Sequence, residues 1–221
     1  MSEPSPSKPW DFETMLMIGL TGSIGMGKST TAAMFRDAGV PVYDADAVVA
    51  DLYLKGGAAV EPLEAAFPGV TKDGAVDREA LRQRVLGDDA AMAKLNSVVH
   101  PLMGADRAAF FARAQAAKAD MVVMDIPLLF ETKGHLNMDA VVVASAPEDQ
   151  QRARVLARPG WTAERLDDIL KRQLHDSEKR KLAHFIVETG QGLDHARAQV
   201  HEIIATLRDP ERRPQAICPA T

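Results

Sequence analysis

The stretch GSIGMGKST, residues 22 to 30, places Gly22, four residues, then Gly27, Lys28 and Ser29 in the spacing G-x-x-x-x-G-K-[ST]. Each residue type has a task in holding phosphate. Glycine accepts positive φ and lets the backbone come close to an anion, so successive N–H groups point inward at phosphate oxygens, aided by the dipole of the helix that follows. Lys28 carries a mobile ammonium to the β and γ phosphates, where charge shifts during transfer, and Ser29 offers a hydroxyl to Mg2+. The alternative for these residues is a glycine-rich turn with a solvated lysine. The strand-like run before them and the helical spacing after them favour the phosphate cradle.

A cradle does not say which group receives the phosphoryl. The guanine signature N-K-x-D is absent, and a motor ATPase needs more chain. A kinase of a small hydroxyl compound needs a carboxylate near the acceptor hydroxyl, a pocket for the acceptor, and cations on a mobile cover that excludes water. Asp44 and Asp46 follow the second strand-like run one residue apart, so at most one faces the phosphate while the other caps the next helix. Arg152, Arg154 and Arg158 lie on one helical stretch, either as a cover over phosphate or as a solvated face.

The elements that position these residues alternate. MLMIGLTG (15 to 22) reads as a strand and KSTTAAMFRDAG (28 to 39) as a helix ending at Gly39; VPVY (40 to 43) reads as a second strand leading into the helix DADAVVADLYL. From Gly56 to Lys118 the pattern is helical, broken by PGVTKDGAVD (68 to 77), GDD (87 to 89) and Pro101, with no strand. MVVMDI (121 to 126) and AVVVAS (140 to 145) are short and β-branched, as in parallel strands buried on both faces. SAPE (145 to 148) reads as a capping box, and Thr162 as the cap of AERLDDILKRQL. HFIVET (184 to 189) supplies a last strand and LDHARAQVHEIIATLRD the closing helix. The expectation is an α/β, doubly wound, parallel five-stranded sheet with right-handed crossovers, an inserted helical lobe and an arginine-bearing helical lid. The glycine loop, Asp44, Asp46 and Asp125 all fall at carboxyl ends of strands, where ligands gather in such sheets.

Bulk properties narrow the partners. The 221 residues, 46% hydrophobic, suffice for one main core with an insertion. A net charge of -5, from 26 basic and 31 acidic residues, gives no field that attracts nucleic acid. Cys218 is the only cysteine, so no internal disulfide forms, which fits a reducing cytoplasm. No apolar run has the length of a membrane span, and MSEPSPSKPWDFET lacks the apolar core of a signal peptide. The expected division is a disordered leader (1 to 14), one domain (15 to 208) and a mobile tail (209 to 221). Within the domain, the core takes 15 to 50, 119 to 150 and 183 to 208, the substrate-binding insertion 51 to 118, and the lid 151 to 182. The chain is expected to act as a monomer or weak homo-oligomer on a small molecule.

Taken in order, TGSIGMGKST, DAD after the second strand, DREALRQRV, LNSVVHPLM, IPLLFE and QRARVLAR followed by ILKRQ resemble the dephospho-CoA kinases. That P-loop family phosphorylates the ribose 3′-hydroxyl of dephospho-coenzyme A with ATP, completing coenzyme A synthesis. The resemblance spans about residues 15 to 208. It implies that Gly22, Gly25, Met26, Gly27, Lys28, Ser29 and Thr30 hold ATP, and that Asp46 is the base or orienter for the hydroxyl, with Asp44 beside it at the substrate. Arg78, Arg82, His100 and Pro101 match positions that receive dephospho-CoA. Arg154 and Arg158 match lid arginines that neutralise the moving phosphoryl group, and Gln173 the glutamine after the lid. Ser29 offers its hydroxyl to Mg2+, and Asp125, at a position that is apolar in some relatives, either joins it at the metal, holds a metal-bound water or caps the strand end. Two further sites depart from the family pattern: Ala183-His184 replaces Ala-Asp, and Thr189-Gly190 replaces Asn-Gly. They border the adenine in the related fold, so contacts to the base there fall to the backbone. The rival readings are a kinase of another small hydroxyl compound, such as a nucleoside monophosphate or sugar acid, and a nucleotide-gated switch.

Overall fold

The computed structural model describes residues 15–214. The expected leader, most of the tail and Cys218 lie outside the described residues. In chain order the elements are β1 (Leu16–Thr21), α1 (Lys28–Asp37), β2 (Val42–Asp44), α2 (Ala45–Leu52), α3 (Val60–Ala66), β3 (Thr71–Lys72), β4 (Ala75–Val76), α4 (Arg78–Val85) and α5 (Asp89–Ala116). There follow β5 (Met121–Asp125), β6 (Ala140–Ser145), α6 (Glu148–Leu156), α7 (Ala163–Leu170), α8 (Asp176–Leu182), β7 (Phe185–Glu188) and α9 (Leu193–Arg208). Among the described residues they form two compact units, one of residues 15–43 and 117–214, the other Asp44–Ala116.

The first unit is built on the five-stranded sheet, in the order β2-β5-β1-β6-β7. β1 pairs in parallel with β5, Leu20 opposite Asp125, and with β6, Thr21 opposite Val143; β6 pairs in parallel with β7, Ser145 opposite Glu188. Every residue of β5 and β6 is buried, as the unbroken apolar runs require of strands covered on both faces. Successive side chains alternate between the faces. Ile18, Leu20, Met121, Val123, Ala140 and Val142 share one core with Phe35 of α1 and Val200, Ile203 and Leu207 of α9. α1 ends where Gly39, at φ +81°, turns the chain into β2.

The second unit has its own core, in which Leu63 of α3, Val70, Val76 of β4, Leu81 of α4 and Val99 of α5 meet. Two expectations fail here. No strand is expected between residues 56 and 118, yet β3 and β4 pair as an antiparallel hairpin, Thr71 with Val76 and Lys72 with Ala75. Its turn, Asp73-Gly74, has positive φ at both positions, 54° and 80°, the type I′ geometry for which Asp-Gly is suited. Strands of two residues are too short to show alternation. They are held instead by the Glu64 carboxylate, which accepts from the Gly69 and Thr71 amides and the Thr71 hydroxyl at 2.7–3.0 Å. Nor does Pro101 break the helix, because α5 runs through it for 28 residues. A proline inside a helix costs about 3 kcal/mol. Val99, Phe110 and Phe111 are buried on the same helix, each worth about 1.5–3 kcal/mol, so packing along its length outweighs the lost bond.

Two further differences lie between β6 and β7. The Ser145 hydroxyl caps nothing: it donates to Asp176 Oδ2 at 2.7 Å and accepts from Arg180 at 2.9 Å, and α6 begins after Pro147 without a side-chain cap. α8 is absent from the sequence reading. Thr162 does cap α7, accepting from the Arg165 amide at 3.3 Å. Among the described residues no helix is long and apolar enough to cross a membrane.

Candidate active site

The loop after β1 opens onto the amino end of α1. Gly22 and Ser23 are buried, while Ser29 and Thr30 are exposed in the first turn of the helix. Gly25 and Gly27 have φ of +78° and +88°, which any side chain would strain. A Cβ on Gly27 would also lie 2.9 Å from three atoms of the Thr189 side chain. Thr189 has little room to yield, since its hydroxyl bonds the Met26 carbonyl at 2.8 Å and its own carbonyl accepts from Arg154 at 2.7 Å. Gly27→Ala is therefore expected to cost about 2 kcal/mol of stability, mostly from its left-handed backbone. Urea unfolding measures this, and an unchanged midpoint would refute it.

The Lys28 ammonium bonds Asp125 at the carboxyl end of β5. The lysine side chain is 16% exposed and the carboxylate 1%. Two opposite charges so far from water stabilise each other strongly, and removing one leaves the other costly to keep. Met26 turns its side chain inward, where its sulfur accepts the Ala146 amide at 3.2 Å, and its own amide donates to the Ser23 carbonyl at 3.1 Å. Ile24, at the loop's centre, donates its N–H to Gln173 Oε1 at 3.2 Å and accepts from Gln151 Nε2 at 2.7 Å.

The three arginines after β6 have different partners. Arg152 pairs with Asp167 at 2.8 Å and ties α6 to α7. Arg154 donates to the Thr189 hydroxyl and carbonyl at 3.0 and 2.7 Å and to the Gly25 carbonyl at 3.4 Å, so it touches the loop. Arg158 is exposed, 5.9 Å from the Trp161 ring centre. His184 stands at the opposite end of β7 from Thr189, its ring nitrogen accepting the Val141 amide at 3.0 Å. Gly22 to Thr30, Asp125, Arg154 and Gln173 thus gather at the carboxyl ends of β1, β5 and β6.

The other candidates belong to the second unit. Asp44 caps α2, its carboxylate accepting the Ala47 amide at 3.0 Å, while Asp46 is exposed in that helix's first turn. Arg78 lies 5.7 Å from the Tyr53 ring centre. Arg82 grips Glu79 through two bonds of 2.9 and 2.7 Å; hydrogen bonds from Arg82 and Gln83 bring the Glu79 carboxyl down to about 2. His100 and Pro101 are exposed on α5.

Among the described residues no cluster of three His, Cys, Asp or Glu side chains could cage a metal ion. Mg2+ in nucleotide sites needs no such cage, because one or two protein oxygens suffice beside phosphate and water. The exposed Ser29 hydroxyl and the Asp125 carboxylate at the same edge are hard oxygen donors of that kind. The donor set fits.

The sequence model of the dephospho-CoA kinase family matches residues 16–195. The chain belongs to the dephospho-CoA kinase family. A dephospho-CoA kinase of Mesorhizobium japonicum is 57% identical over 194 residues, covering 88% of this chain and 98% of that one. One from Rhodopseudomonas palustris is 53% identical over 201 residues, covering 90% and 100%. Among solved structures, a Thermus thermophilus protein superposes with a TM-score of 0.72 at 31% identity, covering 87% of this chain and 97% of its own. The dephospho-CoA kinase from Campylobacter jejuni shares the fold, with a TM-score of 0.57 at 24% identity and coverage of 86% and 96%. ATP as a substrate follows from the family.

Sequence reasoning misses two residues that shape this site. Gln151 is absent from its candidates, and Thr189 enters only as a departure from the family pattern. The signal for Gln151 lies in helical spacing: it shares a face of α6 with Val155, and both are buried. Thr189 carries no signal of its own.

Proposed function

We propose that the residues described above carry the transfer of the γ-phosphoryl group of ATP to the ribose 3′-hydroxyl of dephospho-CoA, giving coenzyme A and ADP. The observation that carries the reading is a complete phosphate loop, its lysine held at the carboxyl edge of a parallel sheet, in a chain 57% identical to a dephospho-CoA kinase over 194 residues. Gly22, Gly25, Met26, Gly27, Ser29 and Thr30 wrap the phosphates. Lys28 meets the β and γ groups. Asp44, Arg78, Arg82, His100 and Pro101 receive dephospho-CoA, whose phosphates suit the two guanidinium groups.

In the reaction the 3′-oxygen forms a bond to the γ-phosphorus as the bond to the β–γ bridging oxygen breaks, and the hydroxyl proton passes to Asp46. ADP leaves with the bridging oxygen. Arg154 and Arg158 offset charge on the moving phosphoryl group, for which Arg154 exchanges its bonds to Thr189 and Gly25 for phosphate oxygens. Ser29, with Asp125 directly or through water, would hold Mg2+, which would supply charge neutralisation at the phosphates. Catalysis is mainly placement.

A single cysteine in 221 residues supports a reducing cytoplasmic setting. The net charge of -5 supports an enzyme that works as a monomer or weak homo-oligomer without nucleic acid. Incubation with ATP, Mg2+ and dephospho-CoA, followed by mass detection, is expected to yield coenzyme A with one added phosphate at the 3′ position. Release of ADP with dephospho-CoA unchanged would refute the reading in favour of a switch. Preferential transfer to a nucleoside monophosphate or sugar acid in a substrate panel would refute it in favour of another kinase.

A further inference from the structure

We propose that Gln151 and Gln173 are positioning residues that aim two consecutive peptide planes of the phosphate loop; this rests on reading that loop as the ATP site. Ile24 shares one peptide plane with Ser23 and the next with Gly25. In a trans peptide the C=O and N–H point opposite ways, so fixing one group aims the other. Gln173 Oε1 takes the Ile24 N–H at 3.2 Å. The Ser23 carbonyl in that plane is thereby turned to the other side, where it accepts the Met26 amide at 3.1 Å and closes the turn. Gln151 Nε2 takes the Ile24 carbonyl at 2.7 Å. That turns the Gly25 N–H away from Gln151, free of the helix and able to meet an anion.

The second plane needs the restraint. Gly25 stands at φ +78°, and glycine tolerates the φ of either orientation, so its own backbone would not resist a flip of the Ile24–Gly25 peptide. Gly25 itself lies close against α6, where a Cβ would come within 2.6 Å of Val155 and 3.0 Å of the Gln151 carbonyl, while beside the neighbouring residues Ser23 and Met26 a cavity of about 390 Å³ opens, bounded also by Gln151, Gln173, Asp176 and Arg180. The amide orientations of both glutamines follow from the fixed polarity of the backbone, since a carbonyl only accepts and an N–H only donates. Gln151 is 3% exposed, a buried amide with its donor spent on this contact. Gln151 lies within α6 and Gln173 just after α7, so the segment following β6 sets the shape of the loop.

The two bonds have opposite polarity, and this makes the test sharp. Gln151→Met and Gln173→Met keep side-chain length and remove the bonds. Each is expected to raise KM for ATP at least tenfold while kcat stays within threefold, because pre-organisation serves ground and transition states alike. The glutamate variants add equal charge at the two places, yet Gln173→Glu keeps an acceptor for the Ile24 N–H whereas Gln151→Glu sets a carboxylate against the Ile24 carbonyl. Calorimetry with ATP is expected to find Gln173→Glu binding at least tenfold more tightly than Gln151→Glu. Equal affinities of the two glutamate variants, or methionine variants that lower Tm with an unchanged KM for ATP, would overturn the proposal. Should the Gln151 variants fail to fold, hydrogen exchange at the Ile24 amide decides: Gln173→Met should accelerate it and Gln173→Glu restore it, and equal rates overturn the assignment. Unaltered protein that binds no ATP would defeat the reading of the loop itself. Unaltered protein that binds ATP no better than the methionine variants would defeat the clamp alone.

Discussion

Lys28→Ala is expected to lower kcat by about a thousandfold, the upper range for deleting one pre-organised group that meets developing charge. On the proposed reading the ammonium is the cation the loop itself brings to the phosphates, and Arg154 is engaged with Thr189 and Gly25. The same substitution strips Asp125 of its cationic partner in a place where the carboxylate is 1% exposed. Breaking such a buried pair costs about 3–5 kcal/mol, with the lower end apt here because Lys28 retains some exposure. Lost rate and lost stability must therefore be separated. Lys28→Ala with Asp125→Asn removes both charges and is expected to regain most of the thermal stability. It should regain none of the rate. Single-turnover transfer from ATP to dephospho-CoA reads the first quantity and denaturant unfolding the second. A fall in rate of less than tenfold in Lys28→Ala would remove the lysine from the transfer step.

What the sequence discloses about this molecule depends on how far apart the interacting groups lie. β5 and β6 are legible because burial on both faces leaves a mark in every residue of MVVMD and AVVVAS. The glycine loop is legible because its backbone requirement is local: only residues 22 to 30 need the right types in the right order. The Lys28–Asp125 pair spans 97 positions and the Ile24–Gln173 bond 149, and no periodicity links either end to the other. Ser145 shows the converse error. Its place before A-P-E suits a capping box, but Asp176 and Arg180, brought in by α8, take its hydroxyl, and a stronger tertiary bond overrides the local one. The hairpin of β3 and β4 escapes notice for a different reason. Its stability comes from Glu64 and a type I′ turn rather than from any run of apolar residues. Thr189 illustrates how a departure from a family pattern can be read only in three dimensions, since its hydroxyl and carbonyl join the loop to Arg154.

Asp46→Asn is expected to reduce kcat on the order of a hundredfold or more, the usual contribution of a positioned general base. The two acids of the DAD run do different work on α2. Asp44 spends its carboxylate on the Ala47 amide at the helix start, whereas Asp46 is exposed in the first turn. An asparagine at 46 keeps the shape and can still accept a hydrogen bond from the ribose hydroxyl, but it cannot take the proton as the 3′-oxygen bonds to phosphorus. The loss should accordingly appear in kcat with KM for dephospho-CoA little changed. Asp44→Asn separates capping from chemistry, because asparagine caps a helix about as well as aspartate, so the unfolding midpoint should hold. If the hundredfold loss instead follows Asp44→Asn and Asp46→Asn turns over near normally, the proton goes to Asp44 rather than Asp46.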